Sequence, residues 1–191
     1  MDNKFITTYV LDKYDKTYGL INERIGERVM ALEFSLISLI AFAIPMLLSH
    51  PQIITGSIVN AILIYSSLRF RAKYILPLIV LPSISAVVKG MLFGPATPLL
   101  IFLMPFIWVG NAAIIYAMKD MFVEKKKHYI LSLIMGAFIK ALIIGGGAFI
   151  VSQFIKLPTI LLIGMSIMQI ITATIGGLLV YIGMKLINVE V

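Results

Sequence analysis

Residues 129–154 read YILSLIMGAFIKALIIGGGAFIVSQF, an apolar run with one charge in it, Lys140. A helix needs roughly 20 mostly apolar residues to cross the hydrocarbon of a bilayer. This run supplies them and predicts a membrane span. Lys140 lies eleven residues in, so at a rise of 1.5 Å per residue it sits roughly 16 Å from the inner end, near mid-membrane. A charge at that depth costs about 2.5–3.5 kcal/mol on insertion scales, so it faces the bundle interior and points to function. The structural alternative is a lysine satisfied by carbonyls freed at a proline kink, or one that has lost its proton.

Five further apolar runs surround this one, with almost nothing between them. They cover about 31–49, 52–68, 74–93, 97–118 and 159–185. Pro45, Pro77, Pro82 and Pro105 fall inside these runs, where they are expected to kink the helices. The 52–68 run is the most diluted, by Thr55, Gly56, Ser57 and Asn60. The whole chain is 60% hydrophobic and 13% charged, with a mean hydropathy of +1.03. Soluble domains are about 45–50% apolar and about 25% charged, so the excess apolar surface calls for lipid. The expected fold is an all-α membrane protein, a six-transmembrane-helix bundle. Its parts are a polar or amphipathic cytoplasmic segment over 1–30 and a membrane domain over 31–191.

The cations set the orientation. With a cytoplasmic N-terminus, the inner side collects Lys4, Lys13, Lys16, Arg24 and Arg28, then Arg69, Arg71 and Lys73. Lys119, Lys125, Lys126, Lys127 and Lys185 complete it, against Lys156 alone outside. That is the positive-inside pattern, and it places both termini in the cytoplasm of a multi-pass plasma-membrane protein. It also accounts for the net charge of +7 without nucleic acid. Ile21, Ile25 and Val29 recur every four residues, read either as a helix lying along the inner surface or as a solvated tail. The first apolar run starts too late, and lacks the small-residue cleavage site, for a removable signal peptide.

Several chemistries find no support in the sequence. Cysteine is absent, which excludes disulfides and thiolate sites. No P-loop, GxSxG or HExxH motif occurs. His50 and His128 are expected at opposite membrane faces, too far apart to share a metal ion. The reading is therefore of a protein that is no enzyme, holds no cofactor of its own, and has no carboxylate inside the hydrocarbon to carry protons.

What the hydrocarbon does hold is cationic and amide. Lys89, near the outer end of the third run, either lines a site or snorkels to the interface. Asn111 and Gln169 bond neighbouring helices or contact a ligand. Trp108 packs or stacks on a planar ligand, and Glu33 favours the N-terminus of the first span. If Lys89 and Lys140 converge, they form a cationic pocket open to the outside, suited to a carboxylate or phosphate. Small residues four apart (Ala137, Ala141 and Gly145; Thr172 and Gly176; Ala173 and Gly177; Ala31 and Ser35) let helices approach closely. They serve packing inside the bundle or a docking face for another subunit. The GGGA stretch at 145–148 is expected to weaken the outer half of the fifth span.

With these features in place, residues 31–185 resemble a substrate-specific S component of an energy-coupling factor (ECF) transporter. The resemblance rests on six closely spaced spans, and on LPSISAVVKG (81–90), PFIWVGN (105–111) and QIITATIGG (169–177). It implies a substrate-binding subunit that captures a vitamin or cofactor precursor under the outer loops, here about 49–52, 93–97 and 154–159. It also implies partners, a transmembrane coupling subunit and two ATPase subunits. The family's Ala-xxx-Ala docking motif is approximated by Ala31 and Ser35, while Ala41 and Ala43 are spaced differently. The expected substrate contacts are Lys89, Lys140, Asn111, Gln169 and Trp108, around a small anionic solute. The competing readings are a self-contained secondary transporter or channel, and a membrane scaffold without transport.

Overall fold

A computed structural model describes residues 27–48, 51–70 and 74–187. The polar segment expected over 1–30 lies outside the described residues up to residue 26, as do His50, Arg71 and Lys73. The helices are α1 (Glu27–Leu47), α2 (Gln52–Arg69), α3 (Leu76–Lys89), α4 (Met104–Ala117), α5 (Tyr129–Ser152), α6 (Thr159–Gly164) and α7 (Ile167–Leu186). Between α3 and α4 the chain forms a short extended piece, β1 (Leu92–Pro95), and a 3₁₀ turn, Thr97–Phe102. Beyond α4 the helix widens to a π-helix over Met118–Glu124. Four segments are long and apolar enough to cross a membrane: Val29–Leu47, Met104–Glu124, Tyr129–Ser152 and Thr159–Leu186. The protein is thus helical and apolar in the manner of a membrane-embedded chain.

Proline marks helix starts more than kinks. Pro51 and Pro158 are N-caps, and Pro77 and Pro105 lie in first turns. There the missing N–H has no helical acceptor to lose. This corrects the expectation that Pro77 and Pro105 kink spans. Pro45 and Pro82 are the prolines inside helices among the described residues.

Two expected boundaries also move. The third run ends at Lys89, because Gly90 (φ 71°) turns the chain into the left-handed conformation, which glycine adopts without steric cost. The stretch 97–103, expected to begin the fourth span, instead makes a cap in which Thr97, Leu100 and Leu103 are buried. Thr97 Oγ1 accepts the Phe93 N–H at 2.8 Å and donates to the Gly94 carbonyl at 2.8 Å. The sixth run is discontinuous: it breaks at Ser166 (φ −121°, ψ −95°), separating α6 from α7. The expected weakness at Gly145–Ala148 is absent, and α5 runs through it unbroken. There Gly147 leaves room for the Phe106 ring, and Gly145 lies against the break at Met165 and Ser166.

The chain divides into two compact units, Met1–Ile37 and Ser38–Val191. In the first, the Ser35 hydroxyl donates to the Ala31 carbonyl at 2.8 Å. In the second, α2 packs along α7, α4 along α5, and α5 against α7. The small residues of α7 serve this packing. Gly176 meets the α2 backbone and Gly177 meets Leu133. The basic end is tied by Lys119 Nζ donating to the Phe70 carbonyl at 2.7 Å. The Tyr129 hydroxyl likewise donates to the Gly177 carbonyl at 2.8 Å.

Candidate functional site

Polar residues of α2 recur as Gln52, Thr55, Gly56 and Asn60, with Val59 between. Positions i, i+3, i+4, i+7 and i+8 share one helix face. That face lines a partly open cavity of about 90 Å³, room for a small cluster of waters or a compact solute. The other walls are the second half of α3, the first half of α4, the middle of α5 and the first turns of α7. All of them lie in the half of the unit away from the basic end.

Lys140 enters this cavity from α5. It is 2% exposed, and its Nζ donates to Asn60 Oδ1 at 2.5 Å. Asn60 is itself held in place: its Nδ2 donates to the Gly56 carbonyl at 2.9 Å and to Thr172 Oγ1 at 3.1 Å. Thr172 in turn donates to the Met168 carbonyl at 2.7 Å. Both amide hydrogens of Asn60 are therefore committed, and its oxygen is fixed towards the lysine. Gly110 leaves room for Ile144, one turn beyond Lys140, since a Cβ there meets Ile144 at 2.6 Å. Asn60 is the only hydrogen-bond acceptor of Lys140 among the described residues, and Lys140 itself lines the cavity. Among those residues no acidic side chain lines it.

The other expected contacts divide. Asn111 and Gln169 line the same cavity as Lys140. Each also braces the scaffold. Asn111 Nδ2 donates at 3.0 Å to the Ile79 carbonyl, joining α4 to α3. Gln169 Nε2 donates at 2.9 Å to the Gly164 carbonyl, left without a helical donor where α6 stops. Lys89 does not line the cavity: it is the exposed last residue of α3. Trp108 does not line it either, because its indole N–H is turned to Ser83 Oγ at 2.7 Å, joining α4 to α3. Replacing Trp108 by Phe removes one hydrogen bond. Thermal melting in detergent is expected to show a loss of about 1 kcal/mol, with ligand affinity within about twofold. A tenfold loss of affinity would instead mean that the ring touches the ligand.

Asn60, Ser83 and Thr172 were not among the expected contacts. The signal for Asn60 was present, because polar residues diluting an apolar run on one helix face point to a site rather than to a weak span.

Above the cavity, Phe93, Leu100 and Leu103 of the cap pack with Leu157, Leu161 and Met165 in one apolar cluster. The Phe93 ring sits where a Gly164 side chain would be. Below it Leu63, Ile64 and Ile114, one turn further along α2 and α4, and Leu133, two turns before Lys140 on α5, are buried. Apolar residues thus flank the partly open polar volume on both sides. No known family, no curated protein and no solved structure matches this chain.

Proposed function

We propose that this chain is the membrane-embedded substrate-binding subunit of an ATP-driven importer, an S component of the ECF type. It captures a small anionic vitamin or cofactor precursor from outside. In this reading α1, α2, α3, α4 with its π-helical extension, α5, and α6 with α7 form six spans of the plasma membrane, with both termini cytoplasmic. The observation that carries the proposal is Lys140. It is a buried lysine with one neutral protein acceptor, facing a cavity without a carboxylate. A buried charge is costly unless it is paired, so a ligand anion is its natural partner.

The position of the cavity agrees. Under the orientation set by the cations it lies in the outer half, beneath the cap formed by residues 92–103. The apolar layer below it suits capture better than a continuous pore. Release inward then needs a rearrangement driven from elsewhere, here by a coupling subunit and two ATPases. Ala31 and Ser35 on α1 are the proposed docking positions.

Two measurements test this. Denaturing gently purified protein is expected to release a stoichiometric anionic compound, identified by mass spectrometry. Reconstituted liposomes are expected to accumulate that compound only when the coupling subunit, the ATPases and ATP are present. Uptake by the chain alone would establish a self-contained transporter instead. Absence of any bound compound together with absence of uptake would leave the scaffold reading.

A further inference from the structure

Which anion fits is decided by how many donors the cavity has left. Its hydroxyls are spent on backbone carbonyls: Thr55 on Leu48, Ser83 on Val80 and Thr172 on Met168. Asn60 has used both amide hydrogens. Asn111 and Gln169 have each turned an amide hydrogen to a carbonyl. What remains among the described residues is one cation, Lys140, and neutral amide hydrogens of Gln52, Asn111 and Gln169. The walls towards the cap are mostly apolar, Pro45, Leu92, Phe93, Leu100, Ile107 and Met165, with the Gln52 amide beside the Phe93 ring as the polar group among them.

A phosphate monoester carries about −1.5 to −2 charges at neutral pH and three strong acceptor oxygens. Against a single lysine it leaves roughly one charge buried and uncompensated, which is strongly unfavourable. A carboxylate carries one charge and two oxygens, and one ammonium with one or two amide hydrogens satisfies it. Resting on the proposed capture role of this site, we infer that the ligand is a compact monocarboxylate. Its head points inward to Lys140, and its aliphatic body lies under the Phe93–Leu100 cap. The same geometry makes Lys140 the source of head-group specificity and leaves Lys89 without a part in it.

The probes are butanoate, butanamide and butyl phosphate, added to the detergent-solubilised protein while thermal melting is followed. Butanoate at roughly ten times its dissociation constant is expected to raise the melting temperature by about 3–5 °C. Butanamide and butyl phosphate are expected to shift it by less than about 1 °C at the same concentration. The butanoate shift is expected to persist in Lys89→Met and to vanish in Lys140→Met. If Lys140→Met does not fold, the comparison of the three probes on the parent protein decides alone. A larger shift with butyl phosphate than with butanoate overturns the monocarboxylate assignment and leaves anion capture standing. Equal shifts from butanoate and butanamide, or none from any probe, overturn head-group recognition by Lys140. The compound released on denaturation then decides independently whether the protein captures a solute at all.

Discussion

Lys140→Met is expected to abolish tight ligand binding without destabilising the empty protein. The two effects have opposite origins, which makes the pair diagnostic. In the liganded protein the Lys140 ammonium is the only cation on the cavity wall among the described residues. Losing one member of a desolvated charge pair costs about 2–5 kcal/mol, so affinity should fall about 30-fold to several-thousand-fold. In the empty protein the same amino group is buried against one neutral acceptor among the described residues, Asn60 Oδ1. Removing it relieves the cost of burying a polar group, about 1–3 kcal/mol. The Asn60 oxygen then lacks its donor, which costs about 1–3 kcal/mol. The balance is a melting temperature close to that of the parent. Isothermal titration with the co-purified compound and melting of the ligand-free protein measure the two sides separately. An affinity within about twofold of the parent would show that the lysine does not meet the ligand. A marked fall in stability with binding retained would make Lys140 a packing residue.

Gly176→Ala is expected to cause the second large effect, on the fold itself. A Cβ at this position lies 2.5 Å from the Ser57 carbonyl oxygen, 2.7 Å from the Ala61 nitrogen and 2.9 Å from Asn60 Cβ. The first two belong to the α2 backbone, so no side chain can rotate out of the way. Either α2 and α7 separate or the substitution is strained, at about 1–3 kcal/mol. The separation also moves Asn60 away from Thr172, and so disturbs the residue that orients Lys140. Gly183→Ala on the same helix has nothing within 4 Å. It is expected to be neutral or to gain up to about 1 kcal/mol from helix propensity. Melting of both variants in detergent gives the contrast. Equal behaviour of the two would show that α2 and α7 are not in backbone contact at Gly176.

Much of this was legible in the order of residues. The apolar runs located most of the long helices to within a few residues, the helix at Met104 starting seven later than expected, because burying backbone polar groups in lipid leaves helices as the available spanning structure. The run 129–154 became α5 almost residue for residue. The place of Lys140 midway along α5 followed from counting residues alone. What failed did so for tertiary reasons. The glycines at 145–147 were read as a weakness, yet Phe106 and the break at Ser166 pack against them. Thr97 looked like the start of a span, but its hydroxyl closes a turn with Phe93 and Gly94 that begins the cap.

The sequence by itself determined a helical, apolar chain of the kind that suits a membrane, the approximate position of most helices, and a cation, Lys140, midway along the run 129–154. These follow from hydropathy, from proline and glycine geometry and from the cost of burying charge, all properties of short stretches. Only the tertiary structure decided which polar residues share a cavity with that cation. Asn60 lies eighty positions from Lys140 along the chain, and Lys89 is nearer in sequence yet stands apart from the cavity. The register of α2, α5 and α7 makes that choice. It is set by where glycines permit close approach, a relation between distant segments that no local pattern contains.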